Sequence, residues 1–279
     1  MTQLLFWLAT TLVAAEPFSV QLTGNPTGQP VILIPGLSSS GDVWRDTVKH
    51  LAPNYHCHTL TLAGFAGQPR MSDGPFLEQV RDSVVSYIGK NKLKQPLIIG
   101  HSLGGFMALW IAAQHPDLTG PLVIVDSLPN LGAMMFRDPS TLRKQAEGLR
   151  TMIAAQTKEE YGNYIKSSGM LKSIVGDKGI AEVTDWSLKS DPIAIANAMF
   201  DLYTTDLREA IQRIKSRTLV LSTWIGYKQY STREQTLNNV ETQFAKLPNK
   251  TITMSDTARH FIMLDDPEWY LLQLDTFLK

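Results

Sequence analysis

The residues best suited to chemistry are Gly100-His101-Ser102-Leu103-Gly104. A serine hydroxyl becomes a useful nucleophile when a turn exposes it and a neighbouring base takes its proton. The G-x-S-x-G spacing supplies such a turn. A serine between a strand and a helix, on a turn this tight, has strained backbone dihedrals. Side chains on its near neighbours would collide, so glycine is required at Gly100 and Gly104. The helix that starts beneath the serine favours the negative charge that develops when an acyl group is attacked.

The flanking segments provide the elements this turn needs. Leu97 to Ile99 is a short apolar run between Pro96 and Gly100, which predicts a buried strand. Phe106, Met107, Leu109, Trp110 and Ile111, with alanines at Ala108, Ala112 and Ala113, predict a helix buried on most sides.

The chain has 279 residues, 43% of them hydrophobic and 19% charged, enough for a substantial core and one or two domains. Lys+Arg and Asp+Glu are 26 each, so the formal charge is zero. That balance argues against a nucleic-acid partner and against long-range steering of a charged substrate. Cys57 is the one cysteine, which excludes an internal disulfide. It lies between His56 and His58. On a strand those two histidines share a face and Cys57 faces the other way, so a packed strand is preferred over a small metal site.

The first 15 residues are strongly apolar and end in Val13-Ala14-Ala15, as a signal peptide does before cleavage, although no Lys or Arg precedes the apolar run. The expectation is a mature chain starting near Glu16 in the periplasm or outside the cell, without a stable membrane span. If the segment is not a signal, the protein is cytoplasmic.

Further strands are expected at Phe18 to Leu22, Val31 to Ile34, His58 to Leu62, Pro121 to Val125, Arg217 to Thr223 and Thr251 to Met254. Helices are expected at Asp42 to Leu51, Phe76 to Lys90 and Glu234 to Leu247, with a final one opened by Asp265-Asp266-Pro267-Glu268. Between Leu131 and about Arg213 strand signals nearly vanish and helical spacing takes over: Thr141 to Gln156, Glu159 to Ser168, Lys178 to Lys189 and Pro192 to Tyr203. Asp191 before Pro192 is a helix start. Met134, Met135, Met152, Met170 and Met199 fall in this region and could contribute to an adaptable apolar pocket. Asp126 stands at the carboxyl end of a buried strand, the place where ligands gather in open α/β sheets.

The strand, Gly100 to Gly104 turn and helix together resemble the α/β-hydrolase superfamily. The resemblance implies an α/β fold with a mostly parallel sheet flanked by helices. It also implies a helical cap inserted after the sixth strand. On that division residues 16–130 and 214–279 form the core and residues 131–213 the cap. Pro35-Gly36-Leu37, with Trp44 after it, resembles the family's oxyanion loop, Pro35 standing where histidine is usual. The Leu37 and Leu103 backbone N–H groups are then the oxyanion donors. His260 follows the last strand, where the family carries its catalytic histidine, with Arg259 in place of the usual glycine. The chain keeps Gly64 and Phe65 of a further family motif but has Thr61 at its aspartate.

The acid departs from the common pattern. No carboxylate occurs from Arg217 through Thr232, where the family usually has it. Asp126 is the best candidate, since some members carry the acid after the sixth strand; Asp256 is the reserve.

The implied activity is hydrolysis of a small to medium apolar ester through an acyl-enzyme on Ser102, with His260 as base. This scheme requires no metal or organic cofactor. Lactones, thioesters, amides and C–C bonds flanked by carbonyls are sibling substrates. A weakly catalytic small-molecule sensor is the alternative class. A serine at position 102 disfavours haloalkane dehalogenases and epoxide hydrolases, whose nucleophile is aspartate.

Overall fold

The computed structural model describes residues 16–71, 74–136 and 138–279. The apolar N-terminal run, read above as a signal peptide, lies outside them. Among the described residues no helix is long and apolar enough to cross a membrane.

In chain order the elements are β1 (Phe18–Gly24), β2 (Gln29–Ile34), α1 (Arg45–Leu51), β3 (Tyr55–Leu62), α2 (Phe76–Lys90), β4 (Leu97–His101), α3 (Leu103–Gln114) and β5 (Leu122–Val125). Six helices follow: α4 (Gly132–Met135), α5 (Leu142–Ala154), α6 (Lys158–Ser167), α7 (Met170–Ile174), α8 (Ile180–Lys189) and α9 (Pro192–Thr204). The chain then returns to the sheet as β6 (Thr218–Thr223), α10 (Arg233–Gln243), β7 (Lys250–Ser255), α11 (Ile262–Asp265) and α12 (Pro267–Leu278). Counted from β1, the strand before the helical insert is the fifth.

The sheet has seven strands in the order β1-β3-β2-β4-β5-β6-β7. Among the described residues only the β1–β3 pair is antiparallel. Strands buried on both faces must be apolar without alternation. Val31–Ile34, Leu97–Ile99 and Leu122–Val125 meet that demand and are fully buried. The helix α3 lies against β4 and β5, and every residue from Leu103 to Ala113 is buried. On α2, Leu77, Val80, Val84 and Ile88 recur at one-turn spacing and form its buried face.

The parallel register brings the carboxyl ends of the six strands β2 to β7 to one edge. Ile34 pairs with Gly100, His101 with Val125, Val125 with Leu221, and Thr223 with Ser255. The loops leaving that edge carry Leu37, Ser102, Asp126, Tyr227 and His260.

The insert is tied to the rest of the chain by backbone and capping contacts. Asp191 N–H donates to the Gly64 carbonyl at 2.7 Å, and Ala66 N–H donates to Ser190 Oγ at 2.9 Å. Asp201 on α9 accepts from the Leu77 amide at 2.9 Å, satisfying a donor at the start of α2. Gly64, at φ +78°, lets α9 approach closely: a Cβ there would lie 2.3 Å from the Ala194 Cβ.

Candidate active site

Ser102 sits at φ 53°, ψ −118°, at the junction of β4 and α3. L-residues rarely adopt this conformation, and it persists where the surroundings over-determine it. Here they do. The Ser102 amide donates to the Val125 carbonyl on the adjacent strand at 2.9 Å, and its carbonyl accepts from Phe106 N–H at 3.0 Å. A Cβ on Gly100 would lie 2.2 Å from the Gly104 carbonyl oxygen, and one on Gly104 would lie 2.1 Å from the Ile34 carbonyl oxygen. Close approach of backbone, rather than positive φ, is what these two glycines supply.

Asp126 repeats the device one strand over. It has φ 43°, and its amide donates to the Leu221 carbonyl at 2.7 Å. Each of these two residues thus extends the parallel ladder by one bond while its side chain leaves the sheet edge.

His260 and Asp126 are brought together across 134 residues of chain: His260 Nδ1 lies 2.6 Å from Asp126 Oδ2. A carboxylate only accepts, so Nδ1 carries the proton and Nε2 is left as an acceptor. The two side chains are 18% and 10% exposed, so solvent screens the pair weakly. Asp256 is not brought to His260. It is exposed and accepts from Trp224 Nε1 at 2.8 Å and Arg233 Nε at 2.6 Å. The Arg233 hydrogen bond, then that of Trp224, holds its carboxyl below the usual range.

His101 anchors the backbone of the loop that carries His260. Its Nε2–H donates to the His260 carbonyl at 3.0 Å. Burial, and then the proximity of His260, push its pKa well below the ordinary value, so the ring is neutral. Its Nδ1 is buried with no partner among the described residues.

Gly36 packs on the same spot, where a Cβ would lie 2.8 Å from His101 Nδ1 and 3.2 Å from Ser102 Cβ. That contact places the loop carrying Leu37 against the serine. Among the described residues, the Leu37 and Leu103 amides donate to no backbone or side-chain acceptor.

Ser102, Asp126 and His260 line one cavity of about 540 Å³. No hydrogen bond joins Ser102 Oγ to His260 among the described residues. One wall comes from the insert and its approach: Leu128, Leu131, Ala133, Met134, Met135, Ile174 and Leu202. The other comes from β6, the loop after it and α10, including Ser222, Thr223, Tyr227, Gln235, Thr236 and Asn239. Of the methionines read from the sequence, Met134 and Met135 line the cavity; Met152 and Met170 face solvent, and Met199 packs on the core.

The loop after β6, where the common acid is missing, is rebuilt with hydroxyls. Thr223 Oγ1, at the end of β6, donates to the Ala258 carbonyl, binding the root of this loop to the loop that carries His260. Tyr227 reaches the cavity from the same loop. Burial first, then the Asp126 charge, raise its phenol above the ordinary range. Sequence reasoning passed over Tyr227; its only signal was a position in the loop lacking a carboxylate.

Gly41 N–H donates to Thr61 Oγ1 at 2.9 Å, so Thr61 braces the loop that follows β2. His58 Nδ1 lies 2.8 Å from the Tyr87 hydroxyl, and Cys57 is buried. Among the described residues no cluster of His, Cys, Asp or Glu is arranged to hold a metal ion.

Residues 31–271 match the model of the alpha/beta hydrolase family. A pimeloyl-[acyl-carrier protein] methyl ester esterase of Aliivibrio salmonicida (strain LFI1238) is 22% identical over 262 residues, covering 90% of this chain and 93% of the relative. Among solved structures, a hydrolase from Pseudomonas aeruginosa PA01 aligns at TM-score 0.77 and 15% identity, covering 94% of each chain. A thermophilic esterase from Thermogutta terrifontis aligns at TM-score 0.76 and 17% identity, covering 95% of this chain and 97% of that one. The family match runs from Val31 in β2 through β7 and takes in the serine turn and the His260 loop, and the chain belongs to the alpha/beta hydrolase family.

Proposed function

We propose that this protein is a serine hydrolase that cleaves a small to medium apolar ester. Ser102 is the nucleophile, His260 the general base and acid, and Asp126 the residue that orients His260. The observation that carries the reading is the 2.6 Å contact of His260 Nδ1 with Asp126 at the rim of the cavity that Ser102 also lines. An ester substrate is also supported by the curated relative, whose name is that of a methyl ester esterase.

The substrate's acyl carbon docks above Ser102. His260 Nε2 takes the Ser102 proton as Oγ attacks, and Asp126 stabilises the imidazolium. The Leu37 and Leu103 amides hold the oxyanion, each such donor being worth about 3 to 4 kcal/mol. His260 gives its proton to the leaving alcohol, which departs and leaves an acyl-Ser102. Water, deprotonated by the same histidine, attacks the acyl carbon and releases the carboxylic acid. Residues 131–213 act as the cap over the acyl chain, which lies along the apolar wall.

The test is a fluorophosphonate probe together with a series of nitrophenyl esters. Covalent labelling of Ser102 and steady turnover are expected. An unlabelled Ser102 with tight binding of an intact ligand would make the protein a binding sensor instead.

A further inference from the structure

The acidic run at residues 265–268 divides its work. Asp266 caps α12, accepting from Trp269 N–H at 3.1 Å. Asp265 instead faces backwards, and both of its oxygens are occupied by backbone amides. Oδ2 accepts from Arg259 N–H at 2.8 Å, the residue before His260. Oδ1 accepts from Gly176 N–H at 2.7 Å, in the insert between α7 and α8.

A third bond closes the arrangement. Phe261 N–H, from the residue after His260, donates to the Ile174 carbonyl at 3.2 Å. Ile174 itself lines the cavity. His260 is therefore bracketed: the peptide before it and the peptide after it are each bonded to a group that also touches, or belongs to, residues 174–176. The fit at Gly176 is close, since a Cβ there would lie 2.9 Å from Asp265 Oδ1 and 3.2 Å from Arg259 Nη1. The same segment abuts the loop after β6, where a Cβ on Gly226 would lie 2.9 Å from the Ser173 carbonyl oxygen.

We propose that Asp265 is a positioning residue that couples the insert to the catalytic base: by holding Arg259 and Gly176 with one carboxylate, it makes the placement of His260 depend on how the α7 segment sits over the acyl chain. The physical warrant is rigidity. Two charge-assisted bonds from one carboxylate fix two backbone segments relative to each other more tightly than either packing contact does. A displacement of a base by about 1 Å is enough to cost about a hundredfold in rate. An acyl chain long enough to press on Ile174 then seats the α7 segment and, through it, His260. The inference rests on the proposed roles of Ser102 and His260.

The experiment compares nitrophenyl acetate with nitrophenyl octanoate for wild type, Asp265→Asn and Gly176→Ala. Thermal melts check that each variant is folded. Wild-type labelling by fluorophosphonate tests the underlying hydrolase reading separately. In Asp265→Asn, kcat is expected to fall at least about tenfold for both esters with KM within about twofold. In Gly176→Ala, whose added Cβ crowds the insert arm at Asp265 Oδ1 and also approaches the Arg259 guanidinium while leaving the Arg259 N–H bond to Asp265 Oδ2 available, kcat for octanoate is expected to fall about fivefold while acetate stays within about twofold. A labelled, active wild type whose two variants keep kcat for both esters, or lose only KM, would overturn the coupling. Should Asp265→Asn fail to fold, the Gly176→Ala split between the two esters decides alone.

Discussion

The two walls of the cavity are held by different means. On the core side, the serine and the aspartate are fixed by backbone. Ser102 and Asp126 sit at positive φ, each pinned by an amide bond to the neighbouring strand, and Gly100 and Gly104 admit no other residue. On the insert side, the surface is made by side chains. Met134 and Met135, on a helix of four residues, are 46% and 54% exposed. Strained backbone needs an unyielding frame, whereas thioether side chains re-pack around ligands of different shape. Ser102 and Asp126 thus sit on a rigid frame, while Met134 and Met135 present an adaptable surface to the same cavity.

The largest expected effect comes from forcing a Cβ into the core wall. Gly104→Ala would place one 2.1 Å from the Ile34 carbonyl oxygen. A loss of about 3 kcal/mol or more is expected, read as the shift in denaturant midpoint, with activity abolished in whatever protein folds.

Acid also acts on the core side. His101 lies in β4 beneath the serine, and burial holds its pKa well below the value it has in the unfolded chain. The unfolded state therefore binds the proton first, and stability must fall as pH drops below about 6.5. His58 adds to this, its pKa being pushed down to about 4 by burial and then by His56. Denaturation followed from pH 7 to pH 5 is expected to show a slope that decreases by about one proton in His101→Gln. An unchanged slope would mean that His101 titrates alike in both states.

On the insert side the effects shrink. Asp201→Ala removes the acceptor for Leu77 N–H and the tie between α9 and α2. A loss of about 1 kcal/mol is expected, with little change in turnover of a short ester. Met135→Ala is smaller still: stability within about 0.5 kcal/mol of wild type, and KM for a long acyl chain raised a few-fold. Equal losses for acetate and octanoate would show that this residue does not contact the acyl chain.

Much of the core wall was legible in the sequence because its causes are local. The Gly100 to Gly104 spacing is a steric statement about one turn, and the short apolar runs bounded by Pro or Gly, as at Leu97 to Ile99, are strands covered on both faces. Asp126 was legible for the same reason, as a carboxylate at a strand's end. Other features were hidden by physics that sequence spacing does not carry. The strand β3 begins at Tyr55 rather than His58, because pairing with β1 reaches His56 opposite Gly24 and pairing with β2 reaches Tyr55 opposite Gln29. The helix α10 ends at Gln243 rather than Leu247. The helices α4 and α7 are four and five residues long, too short to show a period. Asp265 reads as part of a helix start until its partner, 89 residues away, is placed beside it.

Asp126 is the proposed acid behind His260. Measuring kcat/KM for a nitrophenyl ester in Asp126→Asn and Asp256→Asn tests this role most directly. A fall of about ten-thousandfold is expected in Asp126→Asn, from loss of the correct histidine tautomer, and a value within about twofold of wild type in Asp256→Asn. Near-normal activity in Asp126→Asn, or a collapse only in Asp256→Asn, would contradict it.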